Sequence, residues 1–236
     1  MLTIHAAPLV LPVGAAAVVE GAVAVDGDRI AAIGPYEEVV AAHPAARIRR
    51  WPGLLTPGLR QDRARELLTR CYHPDPREAD ELGELPLCGE EFERLAATMD
   101  AARRAGSVRR GLQRMLRHGT TQVVGPFGAE DPALRTALAR SGLVQTPGQP
   151  VQSPGHPVQI QGRPVQGPGR PGDGLPDLDP FAAGGDLAAT AHGPLTVGGR
   201  ADLAVFDVAD EAALRAGGAR RCVATVLAGR LVHRAR

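Results

Sequence analysis

Four side chains close together could do chemistry. Cys71, His73 and Asp75, with Cys88 further on, are all legal zinc ligands. Cys71 beside His73 is also the pairing of a thiol nucleophile with its base. The spacing fits no standard zinc module, and nothing is placed to orient the histidine as a third group. Pro74, Pro76 and the acids Glu78, Asp80, Glu81 and Glu84 make the stretch read as a surface loop. These residues are therefore weak metal candidates, and the expectation is no metal centre and no catalytic residue. A second set, Arg60, Arg63, Arg65 and Arg70, could hold an anion such as phosphate or carboxylate through paired N–H donors. The competing reading is a solvated basic turn or helix start. The chain has no H-x-H, H-x-x-x-H or C-x-x-C pattern. His118 at a helix C-terminus is explained by the helix dipole; His43 falls at a helix end, His156 in a repeat and His233 at a strand end.

The elements around these residues change character along the chain. Thr3 to Val13 reads as extended. Ala22–Val25 and Arg29–Ile33 flank Asp26-Gly27-Asp28, a strong hairpin signal. Tyr36 to Ala42 reads as a short helix with Tyr36, Val39 and Val40 on one face, and Arg47 to Trp51 as an edge strand. Beyond residue 90, Phe92, Leu95, Met99 and Ala102 recur at helical spacing, and Val108, Leu112, Met115 and Leu116 do so again. Ser107 is the expected N-cap of that second helix and Gly119 its stop. Thr120–Gly125 reads as a buried strand, and Asp131-Pro132 opens a third helix running to Arg140. From Thr146 to about Thr190 periodicity vanishes, and Gly148, Gly155 and Gly162 each begin a seven-residue G-x-P-V-Q repeat. Proline in every copy forbids a helix, so the expectation is an extended, flexible linker rather than a docking peptide. Ala201–Asp207 reads as a strand, Asp210–Ala216 as a short helix, and Val223–Leu227 with Leu231–His233 as a closing hairpin. Hairpins alone are marginal in water, so the two strand-rich ends are expected to pair with each other.

Composition narrows the classes. With 27 basic against 26 acidic residues the chain is near neutral, which argues against nucleic acid and membrane surfaces as partners. Every cation is arginine, and neither lysine nor asparagine occurs. The start lacks a signal-peptide pattern, and no apolar run approaches the ~20 residues that span a bilayer. Three cysteines do not suggest a disulfide framework. The expectation is a soluble, cytoplasmic protein.

The ends together resemble a known family. V-D-G-D-R-I-A-A-I-G (Val25 to Gly34), L-T-P-G-L (Leu55 to Leu59), G-R-A-D-L-A-V-F-D (Gly199 to Asp207) and V-x-x-V-L-A-G-R-L-V (Val223 to Val232) are similar to the opening and close of amidohydrolase-superfamily proteins. The wording is nearest to imidazolonepropionase-like and aminodeoxyfutalosine-deaminase-like members. Gly111 to Val124 resembles the first barrel helix and second strand. The resemblance implies a mixed α/β fold. A small β composite domain would be built from residues 1–59 and 195–236, with an α/β remnant of a metal-dependent hydrolase barrel over 60–145 and a Pro/Gly-rich linker over 146–194. A whole (β/α)₈ barrel needs ~250 residues, so the barrel is expected to be truncated. In the family, L-x-P-G-L leads to His-x-His, the first metal ligands; here Arg63 and Arg65 hold those positions. A guanidinium has no acceptor lone pair and cannot ligate a metal. The expectation is a degenerate, metal-free pseudoenzyme with a structural, regulatory or partner-binding role, self-associating or pairing with a full-length amidohydrolase. Two alternatives stay open. One is a hydrolase of non-peptide carbon–nitrogen bonds at a rebuilt or oligomer-completed site, which alone would need zinc or iron. The other is an anion binder using Arg60 to Arg70.

Overall fold

The computed structural model describes residues 2–128, 131–147 and 174–235. The repeat beginning at Gly148 lies outside them. At the N-terminal end, β1 (Thr3–Val10) and β2 (Val18–Asp26) pair antiparallel, and β2 turns through Gly27 into β3 (Arg29–Pro35). Gly27 has φ +60°, a conformation glycine adopts without strain. Period-two alternation sorts β2 onto two cores: Val23 and Val25 join Val10, Ile30 and Leu55, while Ala22 and Ala24 join Ile4, Ala6 and Val39. Val39 belongs to the short helix α1 (Tyr36–Ala42). The alanines on that face leave room for the helix to sit close. Both β4 (Arg47–Arg50) and β5 (Leu54–Pro57) pair parallel with β1, one after the other along its length.

The middle of the chain is α/β. After β6 (Leu59–Gln61) come α2 (Ala64–Thr69), β7 (Cys71–Tyr72), α3 (Ala79–Leu82), β8 (Leu87–Cys88), α4 (Glu90–Ala96), α5 (Ala101–Arg117), β9 (Thr120–Val124), α6 (Pro132–Ser141) and β10 (Val144–Thr146). Strand β9 lies between β6 and β10 in a parallel three-stranded sheet. Two expectations need correction. The periodic run from Phe92 does not continue through Ala102: α4 ends at Ala96, and Asp100 caps the next helix, accepting from the Arg103 N–H at 2.7 Å. Ser107 is therefore no cap: it sits buried inside α5, its hydroxyl accepting the His73 N–H at 2.9 Å. Asp131 does cap α6, accepting from the Leu134 N–H, and Gly119, at φ +76°, does end α5.

The remaining described segment returns to the first sheet. It runs through a 3₁₀ turn at Pro180–Ala183, α7 (Leu187–Thr190), β11 (Leu203–Phe206), α8 (Glu211–Gly217), β12 (Cys222–Leu227) and β13 (Arg230–Arg234). Strand β11 pairs antiparallel with both β5 and β12, so the two ends of the chain share one eight-stranded sheet in the order β13-β12-β11-β5-β1-β2-β3, with β4 on β1. The linker expected over 146–194 is too long at its C-terminal end. Phe181 and Leu187 are buried with Leu59, Phe206 and Leu214, and Ala191 bridges to Leu59. The segment packs by a few isolated apolar anchors between Asp-capped turns at Asp179 and Asp186, a pattern that carries no period. Among the described residues no helix is long and apolar enough to cross a membrane.

Candidate functional site

The Leu55–Leu59 run crosses the seam between the two larger sheets, since β5 belongs to one and β6 to the other. Gly58 between them is clamped on both sides: its N–H donates to the Asp202 carbonyl at 2.9 Å, and its carbonyl accepts the His192 N–H at 2.7 Å. A Cβ at this position would stand 2.0 Å from Thr121 Oγ1 on β9. Glycine is thus needed for close approach of three segments.

Above Gly58 lies a polar cluster that sequence reasoning missed. The buried Asp202 carboxylate accepts from the Ala228 N–H at 2.7 Å and from Arg200 Nε at 3.1 Å, and faces His192 Nδ1 at 3.5 Å. Thr121 Oγ1 is 3.3 Å from the same nitrogen. Burial, the largest cause, lowers the His192 pKa; Asp202 opposes this, while Arg200 and Arg60 add to it. Both neighbours meet one ring nitrogen, whereas a nucleophile relay needs a partner on each. The cluster therefore joins segments rather than activating a hydroxyl. Its one signal in the sequence is the G-R-A-D run that carries Arg200 and Asp202.

At the C-terminal end of β6 the four arginines do not converge. Arg60 pairs with Asp62 at 2.8 Å and donates to the Ala189 carbonyl. Arg63 binds Glu66 through Nε at 3.1 Å and donates to the Gly174 carbonyl at 2.8 Å. Arg65 and Arg70 are exposed. The buried Gln61 amide donates to the carbonyls of Asp177 and Leu178, and its oxygen accepts the Arg63 N–H. Gln61, Asp62 and Arg63 line one wall of a cavity of about 310 Å³ whose other wall includes Leu175, Asp177 and Asp179. Arg63 is the one arginine of the four that lines it, already paired with Glu66, and the carboxylates of Asp62, Asp177 and Asp179 line it too, so the crevice is poorly suited to an anion. Its polar groups fasten the returning segment at 174–191.

The Cys71–His73–Asp75–Cys88 set is also dispersed. Cys71 and Cys88 stand opposite each other on β7 and β8 and form a disulfide, contrary to the expectation drawn from their sparse, odd number. The β7–β8 hairpin supplies the contact, which spacing alone could not disclose. His73 is fully buried; its Nε2 donates to the Leu67 carbonyl at 2.9 Å and its Nδ1 has no hydrogen-bond partner. Burial lowers its pKa from 6.5 to about 4, the Leu67 carbonyl opposing and Arg114 and Arg110 reinforcing the shift. Asp75 pairs with Arg110 at 3.1 Å and caps the 3₁₀ turn at Pro76–Glu78. The third cysteine, Cys222, is buried, and burial pushes its thiol up to about 11, so it stays protonated and out of reach as a nucleophile.

Residues 21–46, the end of β2 through β3 and α1, match the family model described as "Imidazolonepropionase-like composite domain, bacteria". Over these residues the chain is similar to that domain; the match covers part of β2, β3 and α1 and no more. No curated protein matches the sequence. Structural comparison finds A. niger ochratoxinase (17% identity, 62% of this chain and 31% of that one, TM-score 0.41). It also finds a zinc-bound adenosine deaminase from Xanthomonas campestris (21%, 61% and 32%, 0.41) and E. coli guanine deaminase (15%, 62% and 36%, 0.42). The chain spans about a third of the length of each. The metal that the resemblance implies does not fit this donor set. Arg63 at the first ligand position is donor-only and engaged by Glu66 and Gly174. Among the described residues no group of three or more His, Cys, Asp or Glu could hold an ion.

Proposed function

We propose that this chain is a metal-free relative of imidazolonepropionase-like hydrolases, with a structural, regulatory or partner-binding role in place of catalysis. One observation carries the reading. Arg63, where the family's first histidine ligand would stand, is turned into a fastener: its guanidinium joins α2 through Glu66 to the backbone at Gly174. The rest of the old active-site mouth follows the same logic, with Gln61 and Arg60 holding the 177–191 stretch against β6. The composite-domain sheet is preserved because it makes the core that both chain ends share. Pairing with a full-length amidohydrolase or with a second copy is the kind of role this arrangement serves.

The test is metal content of the purified full chain by plasma mass spectrometry, after growth with added zinc and iron. The expected result is far less than one ion per chain, unchanged in a Cys71→Ser/His73→Gln/Cys88→Ser variant. One ion per chain that this variant loses, together with hydrolysis of a cyclic amide or a deamination, would overturn the reading in favour of a carbon–nitrogen hydrolase.

A further inference from the structure

We propose that the basic-rimmed groove between α5 and α6 receives the acidic α3–α4 segment of a second copy of this chain; the proposal rests on the partner-binding reading above. The two flanks of α5 differ. On one flank Arg103 and Arg110 reach back to the stretch that leads into α3: Arg103 pairs with Glu78 at 2.7 Å and Arg110 with Asp75 at 3.1 Å. On the other flank Ala105, Leu112 and Leu116 face Ala133 and Ala137 of α6 across a cavity of about 530 Å³. The spacing along α5 explains the division, because 103 and 110 share one side of the helix and 105, 112 and 116 another.

The groove has an apolar lining and a positive rim. Arg109 and Arg140 line it and are exposed, and among the described residues neither makes an ion pair. Arg104 nearby differs, being paired with Asp131 at 3.1 Å. The matching surface lies on the same chain. Glu81, Glu90, Glu91 and Glu93 are exposed and, among the described residues, form no ion pair, while Leu85 is 77% exposed beside them. Acidic side chains around a protruding leucine complement arginines around an apolar cleft, in charge and in polarity. Within one copy the stretch leading into α3 is tied to the flank of α5 that carries Arg103 and Arg110, not to the flank that lines the groove. In a twofold pair each acidic segment would fill the other copy's groove, so the contact closes as an isologous dimer.

The test is sedimentation velocity on the full chain at about 100 μM, well above a micromolar dissociation constant. Wild type is expected to dimerise at low salt and to dissociate as salt is raised. Arg109→Glu/Arg140→Glu and Glu91→Arg/Glu93→Arg are each expected to weaken the dimer by at least about tenfold. Their equimolar mixture should associate again, because in the mixed pair the two native surfaces face each other and the two reversed surfaces face each other, so both contacts are complementary. All four positions are exposed, and circular dichroism melts confirm that the variants fold. A wild-type monomer, a dimer indifferent to both charge reversals, or a mixture that stays monomeric would each overturn the proposal. A monomer lacking metal would overturn only this docking surface, whereas a metal-loaded chain would overturn the functional reading on which it rests.

Discussion

Replacing Gly58 with alanine tests whether the seam between the two sheets is as tightly determined as its geometry indicates. The added Cβ would meet Thr121 Oγ1 at 2.0 Å, Cγ2 at 2.4 Å and Cβ at 2.7 Å, all closer than real Cβ contacts. Thr121 is fully buried and β-branched, so its rotamer has little freedom. The backbone cannot easily retreat either, because the Gly58 N–H and carbonyl are held by Asp202 and His192 at 2.9 and 2.7 Å. Overpacking of this kind costs roughly 1–3 kcal/mol, and losing either backbone hydrogen bond adds about 1 kcal/mol. The expected loss is therefore about 3 kcal/mol. Urea unfolding followed by the fluorescence of the single tryptophan, Trp51, would report it. Gly34→Ala is the control: its Cβ would lie 3.7 Å from Val39 Cγ2, an ordinary contact, and should change stability by less than about 0.5 kcal/mol. Thr121→Ala removes two of the three clashing atoms. The double variant should accordingly be at least about 1 kcal/mol more stable than the sum of the single losses. A Gly58→Ala loss no greater than that of Gly34→Ala, or strict additivity with Thr121→Ala, would refute the steric account.

Two further outcomes follow from buried groups. Cys71 and Cys88 are 17 residues apart, and chain-entropy reasoning gives their bridge about 3 kcal/mol of stabilisation. Reductant should lower the melting temperature of wild type and leave Cys71→Ser/Cys88→Ser unmoved, and thiol titration in denaturant should count one thiol before reduction and three after. Equal melting with and without reductant would show that the bridge contributes nothing. His5, whose Nδ1 accepts the Trp51 indole N–H at 3.1 Å, has its pKa lowered from 6.5 to about 4, chiefly by burial with Arg49 assisting, and His73 is lowered to about 4 as well. Because both folded values lie below the unfolded one, the unfolded chain binds more protons, and stability falls as pH drops from about 6.5 to about 4. Each histidine would remove about 3 kcal/mol across that window. Urea midpoints at a series of pH values should show the fall, with a smaller slope in His73→Gln; a flat profile over the window would contradict the burial of both rings.

Local signals were enough for much of the chain. Asp-Gly between two β-type runs specifies the β2–β3 hairpin, Asp131-Pro132 specifies the start of α6, and Gly119 the end of α5, because turn and cap chemistry depends on adjacent residues alone. The marginal stability of isolated hairpins was likewise sufficient to require that the two ends pair, as β5 and β11 do. Arg63 could be dismissed as a metal ligand from its side-chain chemistry alone. Contacts between residues distant in sequence were not legible. The Cys71–Cys88 bridge needs the β7–β8 hairpin, Ser107 binds His73 from inside a helix that begins at Ala101, and Phe181 and Leu187 pack without any period to announce them. His192 meets Asp202 and Thr121 only where the composite sheet, β9 and the returning segment converge on Gly58. Sequence by itself determined the elements that local turn and cap chemistry marks, and the chemistry the side chains lack. Tertiary structure decided which groups meet, because burial and distance are properties of the packed chain and not of its spacing.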